Sequence, residues 1–273
     1  MSIVQVNISL GKEALMNIQM KKITVLGTGI LVLGAASTAY AGGEVDTTFN
    51  SDNFGQISDS TIITNQYWPL PTSTTFVYRS IGKKGDCQVN PVQVGGTEQI
   101  NGINTRVIYD KVYEDYNCTG SSDFLSEETT DWYAQDDYGN VWYFGETTQT
   151  HCPPDDETCV PSTAGSWKAG ENDAEPGIVM LANPTTGDFY RQEYADDAQD
   201  MAKVLRLNAD VTLTFDNLLG TDNYTGCLVT KEWSPLETGA IEHKYYCPGT
   251  GLVLINELQS GTVRTELVDI TQQ

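Results

Sequence analysis

Basic side chains are scarce in this 273-residue chain. Fifteen Lys and Arg stand against 37 Asp and Glu, with two His, for a formal net charge of −22. A surface this acidic repels nucleic acid and anionic membranes. His151 and His243 are the only imidazoles available to act as a base near neutral pH. There is no Gly-x-Ser-x-Gly elbow, no phosphate-binding loop and no His-Glu-x-x-His, which removes the familiar hydrolase, nucleotide and zinc-protease signatures. Long apolar runs are also missing. The longest, Ile23–Ala36, is too short for a comfortable membrane span.

That run has a different use. Met20-Lys21-Lys22 precedes it and Ala39-Tyr40-Ala41 follows it, the layout of a secretory signal peptide. The signal is expected over residues 1–41, with Met20 as the expected true start. No cysteine follows the cleavage site, so no lipoprotein anchor is indicated. Residues 1–41 hold Lys12, Lys21, Lys22 and Glu13, so their removal takes the charge from −22 to −24. The carboxylates are spread along the chain, which favours a salt-adapted surface over calcium sites or a cation-binding face. The expected location is exported, periplasmic or extracellular. All six cysteines lie beyond residue 41, and an even count in an oxidising compartment argues for disulfides.

Residues 42–60 are polar and glycine-rich, a loosely ordered lead-in. A single β-rich domain is expected over 61–273. Asp131–Glu146 is its most legible part. Trp132, Tyr133, Val141, Trp142, Tyr143 and Phe144 are strand formers flanking the turn residues Asp136, Asp137, Gly139 and Asn140. A calcium loop at this turn would be far too short for an EF-hand. Thr74–Ile81 reads as a strand. Cys87–Ile100 and Ile103–Tyr116 form a hairpin around Asn101-Gly102, the strongest hairpin signal in the chain. A bulge at Gly95-Gly96 would bring Cys118 towards Cys87. Glu175-Pro176-Gly177 reads as a turn before Ile178–Leu181. Asp188–Tyr194, Gln199–Asn208 and Val211–Phe215 read as strands, then a polar loop to Gly226. Cys227–Ser234 and Ala240–Cys247 form a hairpin in which Val229 faces Tyr245, Lys231 faces His243 and Trp233 faces Ile241. That register leaves Glu232 opposite Glu242, with Lys244 diagonally beside Glu232. The expected fold is all-β, mainly antiparallel, a strongly curved sheet forming a half-open barrel or sandwich. It is stapled by Cys87–Cys118, Cys152–Cys159 and Cys227–Cys247.

The stretches Trp132–Glu146, Gly187–Tyr194, Leu228–Glu237 and Glu242–Val253, with Tyr67-Trp68-Pro69-Leu70, resemble a widespread family of exported bacterial β-rich proteins of uncharacterised function. The resemblance covers about Tyr67–Ile270. It implies a common β-rich fold and no activity. The positions of Cys227 and Cys247 are usually apolar or small in that family, so these disulfides read as added staples.

The charged residues of those stretches are the candidate ligand-binding set: Arg191, Glu193, Lys231, His243 and Lys244, alongside Glu232. A charged face of a twisted sheet is the plainer reading of the same residues. Asp155, Asp156 and Glu157, beside His151 and the Cys152–Cys159 pair, are weak metal candidates. A disulfide loop suits them better, because paired Cys-x-x-Cys or Cys/His ligands are missing. Trp68, Trp132, Trp142, Trp167 and Trp233 could stack on sugars, but strand aromatics mostly fill cores. No catalytic residue is assigned, and no cofactor is expected beyond the calcium option. The leading expectation is a non-enzymatic exported binding protein for a small, apolar or lipid-like ligand, without nucleic acid and of open oligomeric state. The alternatives are a structural or adhesive surface component, marked by a flat solid core, and a glycan hydrolase, marked by two carboxylates facing across a cleft.

Overall fold

Alternating apolar and polar residues, interrupted by Gly, Asn and Asp, favour antiparallel pairing. The computed structural model, which describes residues 42–82, 85–258 and 263–272, is built that way. The proposed signal peptide and its start at Met20 lie outside the described residues. Among the described residues fourteen strands carry the fold: β1 (Thr74–Ile81), β2 (Cys87–Ile100), β3 (Ile103–Asp115), β4 (Phe124–Gln135), β5 (Val141–Thr150), β6 (Trp167–Lys168), β7 (Glu175–Met180), β8 (Phe189–Arg191), β9 (Glu193–Tyr194), β10 (Met201–Thr212), β11 (Asn223–Trp233), β12 (Ile241–Cys247), β13 (Gly251–Glu257) and β14 (Val263–Gln272). Among the described residues the helical content is one short turn, Ser51–Asn53.

The strands lie in the order β8-β10-β11-β12-β13-β14-β1-β2-β3-β4-β5-β7-β9, with β6 on β5. Two features turn this meander into a nearly closed barrel. β14 returns to β1, with Thr74 opposite Gln272. The two end strands, β8 and β9, are successive parts of one segment. Its first part pairs with β10 through Arg191 and Met201, and its second part with β7 through Glu193 and Pro176. The segment Phe189–Tyr194 thus stitches one end of the sheet to the other. The stitch needs glycine at 177, where a Cβ would sit 2.3 Å from the Gln192 carbonyl oxygen.

Local chemistry sets the registers. Asn101 and Gly102 both take positive φ, 46° and 82°, as a two-residue hairpin turn requires. The ladder runs from Ile100–Ile103 to Thr97–Arg106, slips by one residue at Gly95-Gly96, and resumes at Val94–Ile108. Cys87 and Cys118 are bonded across this pair. Cys152–Cys159 closes a small loop. Cys227–Cys247 joins β11 to β12, where Val229 faces Tyr245 and Lys231 faces His243.

Several expectations shift. Gln199–Asn208 and Val211–Phe215 are one strand, β10, kept continuous by successive bulges opposite β11. Glu175-Pro176-Gly177 opens β7 rather than forming a turn. Asp188–Tyr194 is broken at Gln192, where it changes partner. β11 starts at Asn223, earlier than the polar composition suggested. The segment after Gly42 is held rather than loose. Val45 donates to the Phe189 carbonyl. Phe49 and Phe54 pack against Trp142 and Phe144 at 5.7–6.0 Å between centroids. The Asp137 carboxylate accepts the backbone N–H groups of Gln56, Ile57 and Ser58. This segment roofs the outer face of the β4–β5 hairpin and leaves the inner face to the barrel interior.

Candidate functional site

Directly opposed residues of an antiparallel pair share a face, and neighbours along a strand alternate. The observed registers therefore sort the candidate residues. Thr230 faces Lys244, and Glu232 faces Glu242. Lys244 in turn faces Ile255, which faces Thr265. These point inward. Asp131 faces Ile108, and Asp110 lies one inward position further along β3.

Together they line a cavity of about 220 Å³. Its walls are mostly apolar: Phe76, Tyr78, Val92, Ile108, Leu252 and Ile255, with Trp68 at one side. Trp68 leans on Tyr133 and Tyr246 at 5.6 and 5.4 Å. Its indole N–H is buried without a hydrogen-bond partner among the described residues. Asp110, Asp131, Asn90 and Lys244 supply the polar part.

These polar groups are not equally satisfied. Lys244 donates to Glu232 at 2.9 Å and reaches Glu242 at 3.2 Å. Burial would lower its pKa, but these two carboxylates hold it well above the usual lysine value. Burial would likewise raise Glu232. Lys244, Thr230 and Tyr246 outweigh it and keep the carboxyl below its ordinary value, the last two donating at 2.7 and 2.9 Å. Lys244 is therefore already spoken for.

Asp110 and Asp131 have no such cation. Burial pushes Asp110 up to about 6, although the Asn90 amide donates to it. Asp131 is driven well above the carboxylate range, first by burial and then by Asp110. The Tyr143 hydroxyl donates to it at 2.6 Å, and the Tyr143 ring stacks on Tyr133 at 4.7 Å. Further round the interior, burial and neighbouring carboxylates raise Glu146 to about 7 and Glu193 to about 8. Glu146, Glu193, Asp200, Glu232 and Glu242 line a second space of about 280 Å³. Among the charged residues lining these two spaces, carboxylates predominate and the one lysine, Lys244, is engaged.

The five sequence candidates do not form one site. Lys244 and Glu193 belong to the interior. Lys231 and His243 alternate to the outer face, and Arg191 stacks on Tyr194 at 4.1 Å near Glu44 and Asp46. Alternation within His243-Lys244 already forbids a shared face. Asp110 and Asp131 were missed because each is one carboxylate among many. The signal that finds them is the β3–β4 register, and no turn signature announces it.

Asp155, Asp156 and Glu157 lie on the loop closed by Cys152–Cys159, where Asp156 accepts from Thr158 and Cys159 as a turn residue. Among the described residues no three His, Cys, Asp or Glu are grouped to hold a metal ion. His151 contacts Glu128 at 3.2 Å. Of the tryptophans, Trp132, Trp142 and Trp167 are buried, whereas Trp68 borders the cavity and Trp233 is half-buried on the outer face.

No protein-family model matches the chain, and no curated protein matches it. Two solved structures are similar. One is a protein described as a lipoprotein from Parabacteroides distasonis, 12% identical, covering 78% of this chain and 100% of that one, with a TM-score of 0.39. The other, from Bacteroides fragilis, is described as an exported protein with a YmcC-like fold. It is 10% identical and covers 77% of this chain and 100% of that one, with a TM-score of 0.40.

Proposed function

We propose that the protein is an exported, non-enzymatic binding protein, and that its barrel interior takes a small ligand with an apolar body and a cationic group. One observation carries this reading: Asp110 and Asp131 share a mostly apolar cavity, and the one lysine lining it is neutralised by Glu232 and Glu242. A ligand ammonium would supply the missing counter-charge, and its apolar part would cover Phe76, Val92 and Leu252. A ligand acceptor atom could also meet the orphaned Trp68 N–H. At about 220 Å³ the space lies below the usual range for drug-sized ligands, so a compact amine fits better than a whole lipid. An interior space also speaks against an adhesive component with a flat, solid core.

The test is calorimetric titration with phenethylammonium, using 3-phenylpropionate as the charge-reversed control. The amine should bind and the acid should not. Asp110→Asn should weaken amine binding at least tenfold, and affinity should rise as pH passes about 6, where Asp110 ionises. Preference for the acid, or an unchanged Asp110→Asn variant, would sink the proposal.

One observation favours a second reading. Asp110 and Asp131 occupy diagonal positions on adjacent strands, where Cα atoms lie about 7–8 Å apart. One carboxyl held neutral beside another is the pattern of a glycoside hydrolase. Turnover of aryl glycosides, abolished in Asp110→Asn, would favour it over a binder.

A further inference from the structure

The outer face of the same strands carries a different chemistry. Lys203 lies directly opposite Lys231, and Lys231 directly opposite His243. Arg206 lies in the next row, opposite Val229. These side chains point away from the cavity, since their strand neighbours Ala202, Glu232 and Lys244 point inward. Lys203 and Lys231 form a cationic pair across β10 and β11, at the strand spacing of about 4.8 Å, with Arg206 in the next row and the imidazole of His243 beside them on β12.

Three facts make this group unusual. With 37 carboxylates in the chain, none forms an ion pair with Lys203, Arg206 or Lys231 among the described residues; Arg79, Lys111, Lys168, Lys244 and Arg264 each have one, and the two other unpaired cations are engaged otherwise, Arg106 by backbone carbonyls and Arg191 by the Tyr194 ring. Like charges directly opposite each other destabilise a sheet, so the Lys203–Lys231 pairing works against the isolated fold. His243 reports the same field from its own position: burial, then Arg206 and Lys231, hold its pKa below the usual imidazole value. Trp233 completes the patch. It is half-buried two residues along β11, with the Lys231 ammonium 5.2 Å from its ring centre.

We infer that this outer stripe is a docking surface for an acidic polysaccharide laid across the strands. The anionic groups would meet Lys203, Arg206 and Lys231, and a sugar face would cover Trp233. The stripe is narrow and the rest of the molecule strongly acidic, which selects the partner's shape. A single extended polyanion touches only the stripe. A broad anionic membrane would also face the surrounding carboxylates within a Debye length of about 8–10 Å.

The test is binding of the disulfide-bonded protein to polygalacturonate at low ionic strength, with neutral dextran, polyglutamate and phosphatidylserine vesicles as comparisons. Polygalacturonate should bind, and more tightly than polyglutamate. The double variant Lys203→Gln, Lys231→Gln should lose at least tenfold in affinity while keeping its near-UV circular dichroism. Lys111→Gln, which removes a half-exposed lysine on β3 that pairs with Glu128, should change affinity less than twofold. Equal losses in both variants would reduce the effect to net charge and overturn the proposal. So would equal affinity for polyglutamate, vesicle binding without polygalacturonate binding, or no binding at all. Because both lysines sit on the solvent face, a second pair, Lys203→Ser and Lys231→Thr, serves if the glutamine pair misfolds.

Discussion

Replacing Lys244 by Met isolates the most consequential ion pair in the interior. The substitution keeps an unbranched chain of similar size and removes the charge. Glu232 is then left with the Thr230 and Tyr246 hydroxyls but no cation, and its side chain is only 6% exposed. Breaking a buried pair from one side costs about 3–5 kcal/mol. Lys244 keeps 24% exposure through the cavity, which argues for the lower end, about 3 kcal/mol. For a domain of this size that is a drop of roughly 6–12 °C in midpoint, at about 2–4 °C per kcal/mol. The pH dependence gives the sharper check. In the native protein Glu232 has a depressed pKa, so its contribution is present above the unfolded value and lost as pH falls. Without Lys244, burial raises the same group, and the penalty is then present at neutral pH and vanishes in acid. The deficit of the variant should therefore shrink steadily from pH 8 to about pH 4. Adding Glu232→Gln should recover most of it, since removing both charges of a buried pair is often neutral. Urea melts at several pH values, disulfides intact, would measure this. A deficit under about 1 kcal/mol, or one that grows in acid, would refute the assignment of Lys244 as the counter-charge of Glu232.

Two further outcomes follow from the same geometry. Asp110, Glu146 and Glu193 have pKa values raised to about 6, 7 and 8. Their stabilising contribution is complete below the unfolded carboxylate pKa and is lost as pH rises through those values, so scanning calorimetry should show the midpoint falling between pH 5 and pH 8. Gly177→Ala should destabilise the fold by about 2 kcal/mol or more through forced backbone displacement. Amide exchange should then quicken first at Phe189–Tyr194 and β7, and uniform quickening would count against a local seam.

The sequence carried the short-range geometry well. Asn101-Gly102, the Gly95-Gly96 slip and the Cys227–Cys247 register are all written in adjacent residues whose φ preferences or covalent reach leave few alternatives. The pairing of β14 with β1 has no such marker, because nothing local distinguishes it from other long-range pairings. The ordered segment after Gly42 was hidden by its polar composition. Phe49 and Phe54 are its two aromatic groups, and their partners Trp142 and Phe144 lie far along the chain. The site suffered most. Its charged residues were readable as a set, but sorting them onto two faces requires the alternation of His243-Lys244 to be taken literally. Finding Asp110 beside Asp131 requires a register that the β3–β4 connection does not reveal.

The return of β14 to β1 has a consequence for how the protein is made. Thr74 and Gln272 are partners, so one edge of the first strand waits for nearly the whole chain to be synthesised. Until then that edge offers unpaired N–H and C=O groups to any other strand, and closure at high sequence separation is slow. Until β14 arrives, the β1 edge is the part of the growing chain most open to wrong pairing, and the Thr74–Gln272 closure removes it.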